Sequence, residues 1–117
     1  MRILDPLYQV GVDQYVLDFA WGDMNDVRAL RDLPADKGVV AGVVDIRSLR
    51  IESDAEIAER MRKVLEVVPH ERVWFTTDCG MKALPRFVAS NKLAALGRAA
   101  QTVRAELPLS ARQGAVA

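Results

Sequence analysis

Three runs rich in β-branched residues punctuate the chain, and a helical pattern follows each one. They are QYVLDFA (Gln14–Ala20), VVAGVVD (Val39–Asp45) and RVWFTTD (Arg72–Asp78). When strands alternate with helices, each helix carries the chain back to the start of the next strand. The strands then pair in parallel through right-handed crossovers. This alternation constrains the chain to the α/β class with a parallel sheet. The middle run is almost continuously apolar, the pattern of a strand covered on both faces.

The helical patterns carry their own start and stop signals. Asp23 is placed to cap a helix through MNDVRALRDL, with Asp26 at its third position and Met24, Val27, Leu30 and Leu33 near one face. Ser53 and Glu56 spell the S-x-x-E capping box, in which two side chains satisfy orphan backbone donors reciprocally. Ile57, Met61, Val64, Leu65 and Val68 follow as a core-facing stripe, and Pro69 ends that helix. A last helix is expected from near Pro85, a residue suited to a first helical turn, to about Leu107. Val88, Leu96, Ala99 and Val103 would face inward, and Pro108 stops it. The opening ILDPLYQVG reads as a short helix ending at Gly11. The predicted order is (α)βαβαβα, with residues 1–107 as the folded unit and 108–117 as a frayed tail.

A chain of 117 residues, half of them hydrophobic, fits one small domain with a core of its own. Sixteen basic and sixteen acidic side chains cancel. No dense Lys/Arg cluster is interleaved with aromatics, so nucleic acid is not an expected partner. No apolar run is long enough to cross a bilayer. The opening MRILDPLYQV lacks a secretory apolar region, and the expected location is the cytoplasm. The single cysteine, Cys79, cannot form an internal disulfide, which agrees with that location.

Each strand finishes with an aspartate at or near its carboxyl end: Asp18, Asp45 and Asp78. Sites in parallel α/β folds form at that end. Strand-end aspartates also serve the blander purpose of capping the following loop. Cys79, next to Asp78, has three readings. It is a buried, inert thiol, as free cysteines often are; a redox thiol, disfavoured because no second cysteine exists; or a metal ligand, which needs further ligands. The only histidine, His70, lies between helix and strand, at the far end of a run of five to six residues. At about 3.3 Å per residue it sits roughly 20 Å from Cys79 and is not expected to share a metal with it. No G-x-G-x-x-G or P-loop string follows a strand, so a phosphate-binding domain is not favoured.

RVWFTTDCGMKALPR resembles the PDCGLK-type signature near the C-terminus of cobalamin-independent methionine synthases, and GVVDIRSLRIESDAEIAERMRKVLEVVPHERVW resembles the segment just upstream of it. The resemblance runs from about Leu4 to Leu107. It implies a (β/α)8 barrel of which this chain supplies the last three βα units. It also implies a methyl transfer from a methyl-folate to a homocysteine thiolate held on one Zn²⁺ by His, Cys, Glu and Cys. Zinc lowers a thiol's pKa and keeps it nucleophilic at neutral pH. The family's last cysteine falls on Cys79 and its glutamate on Asp18. Related zinc-dependent thiol alkyltransferases, including those acting on coenzyme M, share the barrel and that cysteine.

The departures from the family pattern are as informative. The His-x-Cys ligand pair lies on an earlier strand, so the zinc ligands in this chain, Cys79 and Asp18, form an incomplete set. Asp18 is one methylene shorter than glutamate. In DIRS, Arg47 stands where the family usually has histidine, and a permanently protonated guanidinium cannot relay protons. Arg47 could instead fork onto a substrate carboxylate, phosphate or sulfonate, or form a loop salt bridge to Asp45 or Glu52. Asp45 and Arg47 are the candidate catalytic residues. Three strands cut from a barrel leave two unpaired edges and an open inner face. The expected partners are a thiol, a methyl donor, and either a second copy or an N-terminal barrel portion. The alternative is a non-catalytic fragment or interaction module.

Overall fold

The computed structural model describes residues 4–110. A short helix α1 (Leu4–Leu7) leads into strand β1 (Gln14–Asp18) and a 3-10 segment (Asn25–Asp32). Strand β2 (Gly38–Val44), helix α2 (Asp54–Leu65), strand β3 (Val73–Thr77) and helix α3 (Arg86–Ala105) follow. The strands form one parallel sheet in the order β1-β2-β3. The three βα units expected from the alternation are therefore present and adjacent. Of the tail expected to fray, residues 111–117 lie outside the described residues.

The helices cover one face of the sheet. Tyr15 of β1 and Val39, Ala41 and Val43 of β2 pack into a core with Ile57, Met61 and Val64 of α2 and Ala95, Ala99 and Val103 of α3. Burying each large aliphatic side chain of such a core stabilises by about 1.5–3 kcal/mol. The opposite face carries Val16, Val40 and Trp74 in register. Val16 is 69% exposed and Trp74 48%. The exposure lies on the flanking strands: β2 itself is buried at six of its seven residues and half-buried at Val40, in keeping with its nearly continuous apolar run. Gly38 and Gly42 are buried because neighbouring side chains and backbone crowd over them.

Helix α2 starts as its sequence specifies. Ser53 Oγ accepts from the Glu56 amide at 3.1 Å, and Glu56 Oε2 accepts from the Ser53 amide at 2.9 Å. Bidentate ion pairs join α2 to α3, Asp54 with Arg98 and Arg62 with Glu106. The segment after β1 departs from expectation. Asp23 and Met24 are left-handed, with φ of 53° and 62°, and Met24 occupies the cap position with no side-chain hydrogen bond. The segment beyond is a 3-10 helix. Met24, Val27, Leu30 and Leu33, each three residues apart, are all buried, as its period of three requires. Tyr8 closes this side of the core, donating its hydroxyl to Ala29 O at 3.1 Å and meeting Tyr15 edge-on at 5.4 Å.

Candidate functional site at the carboxyl end of the sheet

All three strands run the same way, so the loops after β1, β2 and β3 emerge at one rim. Pairing across the rim is tight because β2 has glycine there. Asp18 stands opposite Gly42, and Gly42 opposite Thr76. A register shift between Gly42 and Val44 then lets the Asp78 amide reach Val44 O at 2.9 Å. A Cβ on Gly42 would lie 2.5 Å from Asp78 Oδ1, 2.8 Å from Asp78 Cα and 3.2 Å from Asp18 Cα. The two strand-end acids therefore converge over a residue that has no side chain.

The carboxylate of Asp78 reaches across to the loop after β1. Its Oδ1 accepts from the amides of Phe19 at 3.3 Å and Ala20 at 3.1 Å, and its Oδ2 from Trp21 at 2.8 Å. Burial raises its pKa above the ordinary carboxylate value. The three amides pull the other way, and the charge of nearby Asp18 adds to the rise. Asp45 has a local task, with Oδ1 accepting from the Arg47 amide at 2.9 Å. Both residues thus act as backbone anchors, the blander use of a strand-end aspartate. Asp18 is exposed, and its side chain makes no described hydrogen bond.

Beneath the loop after β2 lies an ionic cluster that the sequence reading did not single out. Glu52 is 3% exposed and Lys92 is fully buried. Glu52 Oε2 accepts from the Asp45 amide at 2.8 Å and from Arg60 at 2.9 Å, while Oε1 accepts from Lys92 Nζ at 2.7 Å. Lys92 also donates to Arg50 O at 2.6 Å, and Arg60 to Val43 O at 2.9 Å. Burial alone would raise the Glu52 carboxyl. The bonds from Lys92, the Asp45 amide and Arg60 outweigh it and hold the pKa below the ordinary value. The visible signal was a lysine in the apolar stripe of α3, four residues after Val88.

Arg47 makes neither of the loop salt bridges considered for it, among the described residues. Its guanidinium lies over the ring of Trp21, 4.1 Å from the centroid. A polar cleft of about 130 Å³ opens beside the pair, lined by Ala20, Asp45, Ser48, Arg50, Glu52 and Arg60.

Cys79 is exposed at the end of β3, and Thr77 Oγ1 donates to its carbonyl at 2.8 Å. The reading of Cys79 as a buried filler is therefore excluded. Among the described residues no three His, Cys, Asp or Glu side chains gather closely enough to hold a metal ion. Cys79 and Asp18 lie on one rim but do not make a zinc site on their own. His70 sits at the opposite end of β3. There it helps line an apolar groove of about 410 Å³ with Leu65, Trp74, Phe75, Leu96 and Leu107. No helix among the described residues is long and apolar enough to cross a membrane.

Comparison with known proteins places this arrangement. Residues 1–102 match the family described as "Cobalamin-independent synthase, Catalytic domain". A methionine synthase of Pyrococcus horikoshii is 39% identical over 105 residues, covering 90% of this chain and 31% of that protein. A methionine synthase of Saccharolobus islandicus is 37% identical over 101 residues, with 86% and 30% covered. The 2-hydroxypropyl-CoM lyase of Xanthobacter autotrophicus is 40% identical over 87 residues, with 73% and 23% covered. Among solved structures, a B12-independent methionine synthase from Shewanella sp. W3-18-1 in complex with selenomethionine superposes with a TM-score of 0.82. The identity is 29%, and the match covers 89% of this chain and 30% of that one. The chain spans less than a third of the length of these relatives, and its parallel sheet with helices on one face corresponds to part of a (β/α)8 barrel. This chain belongs to the cobalamin-independent synthase catalytic-domain family.

Proposed function

We propose that this chain is the C-terminal portion of a zinc-dependent thiol methyltransferase site of the methionine synthase type. The methyl would pass from a methyl-folate to homocysteine thiolate in methionine biosynthesis in the cytoplasm. The observation that carries this reading is the exposure of Cys79 on the rim where Asp18, Asp45 and Asp78 end their strands, within a segment that matches the family throughout. Cys79 and Asp18 would be two of the zinc donors, and the remaining donors would come from barrel strands outside this chain. Zinc, when bound, would lower the pKa of the thiol it holds. Within this chain, Arg47 would meet the substrate, and Asp45 would fix the backbone that carries it.

Mixing the chain with a separately produced N-terminal barrel portion of a relative tests this reading. Zinc binding should be tighter in the mixture than in either piece, and Cys79→Ser should remove the gain. Equal zinc binding in the mixture and in the separate pieces would refute it.

One observation favours a second reading, a non-catalytic module that associates through its open sheet. Among the described residues Val16 and Trp74 are exposed on either side of half-buried Val40, and β1 and β3 each pair with a strand on one side alone. Size-exclusion chromatography with a zinc measurement separates the two. Self-association that is indifferent to Cys79→Ser and to zinc supports the module, and zinc-dependent assembly with the barrel portion supports the enzyme.

A further inference from the structure

We propose that Arg47 and Trp21 form a preorganised recognition site for the acidic group of the substrate, a carboxylate or a sulfonate, at the mouth of the polar cleft between the loops after β1 and β2. The proposal rests on the thiol-transfer reading for the word substrate, and on geometry for the site.

The two residues are 26 positions apart and come from different strand ends, yet the guanidinium carbon lies over the indole, 4.1 Å from the ring centroid. Trp21 is 48% exposed and Arg47 is exposed. An exposed stack of this kind is weak alone and would not fix either side chain. Here each backbone is separately anchored. The Trp21 amide is held by Asp78 Oδ2 at 2.8 Å and the Arg47 amide by Asp45 Oδ1 at 2.9 Å. Asp45 is held in turn through its own amide by Glu52, which Lys92 and Arg60 lock in place. The stack is thus the exposed end of two buried or half-buried anchors.

A cation over a ring is held by charge and not by hydrogen bonds, so the contact with Trp21 consumes none of the guanidinium N–H donors. Those donors form the fork that fits a carboxylate or sulfonate in two parallel hydrogen bonds. Among the described residues no acidic side chain occupies it. The carboxylates close by are committed. Glu52 is shared by two cations, and Asp45 and Asp78 each receive backbone N–H groups. Ala20 and Ser48, each the sequence neighbour of one stacked residue, line the adjoining cleft. A cleft of about 130 Å³ has room for a small acidic head group.

The 117-residue chain is suited to a direct test, because its two tryptophans report separately. Trp74 lies at the start of β3, at the other end of the strands, and serves as an internal control. The probes are ethanesulfonate and propionate, with sodium chloride at equal ionic strength as the reference. The expected result is a saturable shift of the Trp21 indole N–H resonance with one or both anions in the millimolar range, and no shift at Trp74. The anion that saturates first identifies the head group. Arg47→Gln should abolish the shift. Arg47→Lys, which keeps the charge and loses the fork, should weaken it at least five-fold and covers the case in which the Gln variant folds poorly. Shifts no larger than those with chloride, or shifts that survive in Arg47→Gln, overturn the proposal. Failure of the thiol reading is distinguishable. Saturable shifts without zinc uptake in the mixing experiment keep the anion site and remove the thiol, and zinc uptake without such shifts does the reverse.

Discussion

Replacing Lys92 by Met removes the buried ammonium while keeping an unbranched apolar stem of similar reach. Lys92 is fully buried and makes two short bonds, 2.7 Å to Glu52 Oε1 and 2.6 Å to Arg50 O. Breaking a buried pair from one side typically costs about 3–5 kcal/mol, because the other charge is left uncompensated. Glu52 here retains Arg60 and the Asp45 amide, so the lower end applies, about 3 kcal/mol. A chain of this size has a total stability of about 6–18 kcal/mol by the usual per-residue range, and the loss is a large part of it. With a urea slope of about 1–3 kcal/mol/M, the unfolding midpoint should fall by about 1–3 M at unchanged slope. Circular dichroism at two protein concentrations would record it and expose any contribution from association. The companion variant Glu52→Gln and the double variant complete a thermodynamic cycle. The double should cost at least about 1 kcal/mol less than the sum of the singles, as coupled partners do. A Lys92→Met loss under about 1 kcal/mol, or strict additivity, would refute the view that Glu52 and Lys92 hold the loop after β2 from below.

Two further outcomes follow from the same rim. Glu52 has its folded pKa below the ordinary 4.5, so the unfolded chain takes up that proton first and stability falls as pH drops below about 4.5. Asp78 is raised above 3.8, so the folded chain takes up its proton first and its charge costs stability at higher pH. Urea midpoints from pH 3 to 7 should show a shallower acid loss in Glu52→Gln than in the parent, and equal slopes would count against the assignment. Gly42→Ala drives a Cβ into Asp78, including its backbone. It should cost about 1–3 kcal/mol as overpacking does and free the amides of Phe19, Ala20 and Trp21 to exchange faster. Unchanged exchange at those three amides would refute the bridging role of Asp78.

Much of the fold was legible because it depends on local pattern. The capping box of α2, its Ile57–Met61–Val64 stripe and the alternation of strands with helices all reappear as read. The segment after β1 was legible in part. Met24, Val27, Leu30 and Leu33 are spaced by three, which is the 3-10 period rather than 3.6, and that spacing was present in the sequence. The left-handed pair Asp23 and Met24 was not readable, since no glycine marks it. Lys92 was visible as a lysine in an apolar stripe, but its partner Glu52 is 40 residues away and only the packing of α3 beside α2 brings them together. The stack of Arg47 on Trp21 depends on where two loops land and was out of reach. The convergence of Asp18, Asp45, Asp78 and Cys79 on one rim followed from strand direction alone. Which of those acids would be committed to backbone amides did not.

The vacancy at position 42 also sets a rule for how such a chain can change over generations. A methyl group there would meet both the carboxylate and the Cα of residue 78, and the Cα of residue 18 as well, so position 42 cannot gain a side chain while the two flanking strand ends keep their places. A lineage that gains one should show the loop after β3 shifted outward, whatever residue stands at 78. The grip on the loop that presents Trp21 would be lost in the same step. Natural variants carrying a bulky residue at 42 together with an unshifted loop after β3 should therefore be missing.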